Sequence, residues 1–348
     1  MLIDYRKLTE TVRKTLLAAG SAPEEATIVA EHLVMANLSG HDSHGVSILP
    51  TYLQNVRLGV LNPNRHVTLV KRDGNILVFD GDMGFGQVIA REATERTIAV
   101  AKETGLALAA LRNSHHIGRI GTYGEMCVAE SLVSLHFVNV TGHRPLVAPH
   151  RGSDARYATN PICIALPPRG LEEPVILDFA TSKVAMGKIR VAHHRHEEVK
   201  QGLLIDAEGK PTTDPGVMYS EPCGALLPIA EHKGYGLALM CELLAGAIGG
   251  GGTIQPGNHR DTRIVNSMLS IVIDPERLTE PGFIASEMRE MCDYVRQSPP
   301  AEDGLPVLLA GDPERACRKE RMADGIYVED ETWRQIREGA KLFGVDIE

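Results

Sequence analysis

Apolar residues recur at helical spacing through the first sixty positions. Leu8, Val12, Leu16 and Leu17 share one face behind Asp4, a capping residue, and Gly20 closes the stretch. Ser21-Ala-Pro-Glu-Glu opens a second helix to about Leu38, with Ser21 as cap and Pro and acids in the first turn. Gly40 stops it, and a third helix is expected over 48–58. From Val67 the period shortens to two. Residues 67–70 and 75–79 flank Asp73-Gly74, a hairpin signal. An amphipathic helix follows over 87–103, then a strand over 105–111, a helix over 122–131, and strands over 133–140, 160–166 and 175–178. Residues 183–209 are polar and predict surface loop with some helix. An apolar helix over 234–248 ends at four glycines. A late strand over 267–273 precedes helices over 285–296 and 331–342.

This order is α/β without the strict βαβ alternation of a doubly wound parallel sheet. It predicts a central mixed sheet domain over 66–230. A helical N-terminal part over 1–65 would pack with a helical C-terminal part over 231–348, which carries the late strand.

The chain has 348 residues, enough for one large domain or two to three smaller ones. A formal net charge of -9 leaves no electrostatic footprint for nucleic acid or an anionic membrane. The N-terminus lacks the apolar core of a signal peptide, and no apolar run is long enough to span a bilayer. The six cysteines form no C-x-x-C and no disulfide framework. Reduced, mostly buried thiols in a cytoplasmic protein are expected.

Chemistry concentrates in two loops. Asn113-Ser-His-His-Ile-Gly-Arg-Ile-Gly121 lies where a strand turns into a helix, and His41-Asp-Ser-His-Gly45 follows the second helix. Such junctions let backbone N–H groups and side chains converge on a ligand. His44, His115 and His116 all sit in glycine-flanked loops, and histidine titrates near neutral pH without perturbation. Asp178 ends an apolar strand, where a carboxylate can orient a histidine or simply cap the next turn. Lys233 stands at the start of the apolar helix, either as an anion contact or as an exposed lysine beside a cap. Gly81-x-x-Gly-x-Gly86 lacks the spacing of a dinucleotide fingerprint and reads as a glycine-rich turn. His193-His-Arg-His196 has no carboxylate at a metal-ligand spacing.

Together, Gly40-His-Asp-Ser-His-Gly45, Asn113–Gly121, Ala158-Thr-Asn-Pro161, Asp178-Phe-Ala-Thr-Ser182 and His232-Lys-Gly-Tyr-Gly236 resemble the type-2 malate/L-lactate dehydrogenase family. The resemblance spans nearly the whole chain and is strongest to the bacterial hydroxycarboxylate dehydrogenase B branch. It implies a non-Rossmann fold that binds NAD or NADP, a homodimer, and reversible reduction of a 2-oxo acid to a 2-hydroxy acid. The family's catalytic positions fall on Ser43, His44, His116 and Asp178. Its cofactor contacts fall on His44, Gly118, Arg119, Ile120, Asp178, Phe179, Ala180, Thr181, Ser182, Lys233, Gly311, Asp312, Pro313 and Glu314. Either His44 or His116 would protonate the substrate oxygen. Many members carry an arginine for the substrate carboxylate where this chain has Ile48. Arg119 and Arg144 are then the candidates, with Tyr52 as a further substrate contact. The same change makes the pocket more apolar, favouring a bulky or aromatic side chain over malate. Malate, sulfolactate, ureidoglycolate and cyclic-imine carboxylates are the alternatives within the family. The rival from another class is a metal-dependent hydrolase or lyase built on His41, His44, His115 and His116. A third is a non-enzymatic binding protein.

Overall fold

The computed structural model describes residues 1–258 and 264–347. Its centre is a seven-stranded mixed sheet. In spatial order the strands are Thr68–Asp73, Ile76–Asp80, Leu106–Ser114, Val265–Ile273, Val133–Thr141, Ile162–Leu166 and Val175–Phe179. One pair is parallel, Ile76–Asp80 with Leu106–Ser114, and the helix Gly86–Thr104 provides its crossover. The late strand, expected with the C-terminal helical part, runs antiparallel to both its neighbours in the middle of this sheet. Alternation on Leu106–Ser114 puts Ala107, Ala109 and Leu111 into a core with Ile89, Ala93 and Tyr123.

A second core joins the two ends of the chain. Leu8, Val12 and Leu16 of the helix Tyr5–Ala18 pack with Leu33, Tyr52, Trp333 and Ile336. Asp4 caps the first helix as expected, accepting from Arg6 N–H at 2.9 Å. The second helix, Pro23–Leu38, is instead preceded by Ala22 without a side-chain cap. Ser21 does not cap this helix, so proline at the first position and the acids Glu24 and Glu25 define that start. Leu2–Ile3 pairs with Ile326–Tyr327, tying the N-terminus to the C-terminal region.

A third lobe holds a three-stranded sheet of Leu204–Ile205, Pro211–Thr212 and Ala225–Leu226 and the helix Met186–His194. The apolar helix after Lys233 spans His232–Cys241 and continues as a π-helix over Glu242–Ile248. The helix Asp312–Asp324 was not anticipated, although Pro313 and the acids Asp312 and Glu314 mark its first turn. Among the described residues, no helix is long and apolar enough to cross a membrane.

Candidate active site

The loop after the second helix is built by Asn37 and Arg321. Asn37 Oδ1 accepts from Val46 N–H at 2.8 Å, and its Nδ2 donates to Asp42 Oδ1 at 2.6 Å. Arg321 donates to the Asn37 carbonyl and to Asp42. Gly45 is required here because a Cβ would fall 2.2 Å from Asn37 Oδ1. Two short 3-10 turns, Asp42–His44 and Val46–Ile48, then aim His44 toward the sheet.

The second loop is set by close backbone approach. A Cβ on Gly86 would lie 2.3 Å from the carbonyl oxygens of His115 and His116, so glycine lets the helix Gly86–Thr104 start against them. This gives the glycine-rich turn before Gln87 a role in placing the histidine loop.

The two loops meet. His44 Nδ1 lies 3.2 Å from His116 Nε2, with the rings stacked at 5.3 Å. On the far side His116 Nδ1 lies 2.6 Å from Tyr52 Oη, which accepts from Gln87 Nε2 at 2.7 Å. Four side chains from four segments therefore form one hydrogen-bonded row. His115 points away, buried, with its Nε2 2.9 Å from Asn55 Nδ2. Burial pushes the His44 imidazolium down to about 4, with His41 and Arg119 adding to the effect. His116 is pushed well below its ordinary value, again by burial first and then by the neighbouring histidines. Burial also raises the Tyr52 phenol well above its ordinary range.

His44 forms part of the wall of a cavity of about 820 Å³ between this loop, the sheet and the helix Met186–His194. Ser43, Gly118, Arg119, Ile120, Asp178, Phe179, Ala180, Ser182, Pro313 and Glu314 also line it. Asp178 is turned to the protein: its Oδ2 accepts from Gly121 N–H at 2.9 Å and lies 3.4 Å from Arg119 Nε. It makes no hydrogen bond to His44. Burial raises the Asp178 carboxyl against the lowering effect of Arg119. Arg119, only 2% exposed, also holds Glu125 at 3.0 Å, so its charge is spent on two carboxylates.

Several candidates fall outside the cavity wall. Tyr52 is fully buried behind His116. Arg144 donates to the Met218 carbonyl in the third lobe. Thr181 is buried, its hydroxyl donating to the Thr159 and Asn160 carbonyls. Lys233 is exposed at the start of its helix. Gly311 borders a smaller adjoining cavity, and Asp312 is engaged by Arg315 and Leu309 N–H. Ile48 packs against the core formed by the chain ends. Residues that the sequence did not single out are Gln87, Asn37, and the wall cations Lys183, Lys188 and Arg190. None of these three cations has a carboxylate partner among the described residues.

The chain is similar to known proteins along nearly its whole length. The family model for malate/L-lactate dehydrogenase matches residues 3–337. The hydroxycarboxylate dehydrogenase B of Escherichia coli O157:H7 is 43% identical over 99% of this chain and 95% of its own length. The sulfolactate dehydrogenase structure from Methanocaldococcus jannaschii superposes with a TM-score of 0.85 at 32% identity, covering 99% of this chain and 98% of that one. The delta1-piperideine-2-carboxylate reductase structure from Pseudomonas syringae gives 0.83 at 28% identity, covering 97% of this chain and 99% of that one. The chain belongs to the malate/L-lactate dehydrogenase family and is a hydroxy-acid dehydrogenase.

Proposed function

We propose that this enzyme reversibly reduces a 2-oxo acid with a bulky apolar or aromatic side chain, using NADH or NADPH. The carrying observation is the 3.2 Å approach of His116 to His44, which lines the cavity, from segments 72 residues apart. When bound, the nicotinamide supplies the hydride for C2 of the oxo acid. Lys183, Lys188 and Arg190 would hold the dinucleotide's phosphates. His44 Nε2 has no protein partner among the described residues and serves as the proton donor to the developing alkoxide. An anionic substrate beside His44 offsets the desolvation that keeps the ring neutral, so proton uptake accompanies substrate binding. His116 orients His44 from behind. Ser43 lies on the same wall. The apolar side chain reading rests on Val46, Phe179, Val184 and Ile229 in the wall, since Ile48 packs into the core of the chain ends.

The enzyme is read as a cytoplasmic homodimer. All six cysteines are free thiols, which suits a reducing compartment. Leu237, Met240, Leu243 and Ile248 form an exposed apolar face along His232–Ile248, fitted to a second copy. Sedimentation of the native protein and of Leu243→Lys tests this: a dimer that the substitution dissociates is expected, and a native monomer overturns it.

The activity is tested by following NADH and NADPH oxidation with pyruvate, oxaloacetate, phenylpyruvate, sulfopyruvate and a cyclic-imine carboxylate. Phenylpyruvate should be turned over with a higher kcat/KM than oxaloacetate. No oxidation with any of the oxo acids overturns the reading, and a preference for oxaloacetate or the imine overturns the substrate class.

A further inference from the structure

Gln87 begins the helix Gly86–Thr104 and is buried. Its Nε2 lies 2.7 Å from Tyr52 Oη, and its Oε1 is buried with no partner. Tyr52 is thus the only group among the described residues that engages this amide. A half-turn of the amide would exchange the two atoms and still leave one of them alone. The tyrosine hydroxyl can therefore accept from Nε2 or donate to Oε1, and either choice leaves part of the amide unpaired.

Each orientation dictates the hydrogens of the whole row. With Nε2 donating, the phenol hydrogen goes to His116 Nδ1. His116 then carries its hydrogen on Nε2 and donates to His44 Nδ1, and neutral His44 shows Nε2–H to the cavity. That hydrogen can leave only by forming an imidazolate. With Oε1 accepting, His116 donates from Nδ1 to Tyr52, and its bare Nε2 accepts from His44 Nδ1–H. His44 Nε2 is then either bare, ready to take a proton, or protonated in the imidazolium, ready to give one. In that setting the Nε2–H bond breaks as the substrate O–H bond forms, and nothing else in the row changes.

We propose that Gln87 is a positioning residue acting through Tyr52 and His116, its amide orientation selecting whether His44 can exchange a proton with substrate. This rests on the reading of His44 as proton donor. The charged and titratable groups facing the pair are His32 from the helix Pro23–Leu38, His41 from its own loop, His115 and Arg119 from the second loop, His143 beyond the strand Val133–Thr141, and Tyr52. Of these, only Tyr52 is hydrogen-bonded to the Gln87 side chain.

The test compares native protein with Gln87→Glu and Gln87→Met, reading the ring ¹⁵N shifts of His44 and His116 across pH and the pH profile of kcat/KM in both directions. Glutamate at this position is an acceptor when ionised and fixes the competent direction. His116 should then carry its hydrogen on Nδ1, and the pH limb assigned to His44 should rise by about one unit. Methionine removes both options: the ¹⁵N shifts should report mixed tautomers, and kcat/KM should fall about tenfold with dinucleotide affinity unchanged. A folded Gln87→Met protein with native ¹⁵N shifts and a native pH profile overturns the proposal. Should Gln87→Met fail to fold, unchanged His116 shifts in Gln87→Glu overturn it as well. The ¹⁵N pattern is read on the protein alone, so a native enzyme without nicotinamide-linked turnover would count against the proposed function and not against this selection of tautomers.

Discussion

Tyr52 and His116 meet at 2.6 Å although one belongs to the core formed by the chain ends and the other to the rim of the sheet. The contact makes the position of the second histidine depend on how two separately built cores dock. It also fixes the hydrogen that His116 can show to His44.

Tyr52→Phe keeps the ring packed and deletes this contact. It leaves His116 Nδ1 and Gln87 Nε2 without a partner, at a cost of about 1–3 kcal/mol. A lowered thermal midpoint and a kcat reduced at least about tenfold are expected, with dinucleotide binding intact. A variant with native kcat would show that Tyr52 has no part in turnover.

His44→Ala and His116→Ala should each lower kcat by about 10²–10⁴. Because the ring of His44 is held neutral down to about 4, its acid form is scarce in the free enzyme at neutral pH. The kcat/KM for oxo-acid reduction should therefore rise about tenfold per unit as pH falls from 8 toward 5, while that for hydroxy-acid oxidation stays flat. Stopped-flow or steady-state profiles in both directions check this, and near-native turnover in both alanine variants would remove the histidines from the chemistry.

Arg119→Leu should destabilise far more than Asp178→Asn. The first strips the buried Asp178 of its cation, while Glu125 keeps Arg318 at 2.9 Å, a loss of about 3–5 kcal/mol. The second keeps the acceptor for Gly121 N–H and leaves Arg119 paired with Glu125. Denaturant midpoints measure the difference, and equal losses would mean that Asp178 alone carries the pair.

His32, His115 and His136 are all held neutral by burial, at about 3, 3 and 4, against 6.5 for a free ring. Their folded values lie below the unfolded one. The stability they allow is present above 6.5 and is lost as pH falls from there toward 4, because the unfolded chain takes up the protons. Each contributes a slope of about 1.4 kcal/mol per pH unit within that window. Thermal midpoints measured from pH 7 to 4.5 should drop steeply, and His136→Gln, which can keep the bond to Ser270, should flatten the curve.

The hydrophobic pattern revealed most elements because burial imposes periods of two and 3.6 on any chain with a core. The helix Asp312–Asp324 escaped since its long charged face leaves no buried residue. The late strand was legible as a strand. Its place between Leu106–Ser114 and Val133–Thr141 was not, because pairing across such long stretches of chain has no local signature. At the site, residue types and glycine-flanked loops singled out His44 and His116, and their meeting is a tertiary fact. The same signals could not separate His115 from its neighbour, since which of two adjacent rings turns inward depends on Asn55, 60 positions earlier. Nor could Gln87 be picked out, because an amide at a helix start reads as solvated surface until its burial is known.

The strand Val265–Ile273 also has a bearing on synthesis. A nascent chain emerging from the ribosome presents Leu106–Ser114 and Val133–Thr141 long before the segment that belongs between them exists. Until then two long apolar edges face each other with a vacant lane, inviting mispairing within the chain or with another. Closure of this sheet therefore waits until synthesis has passed residue 273.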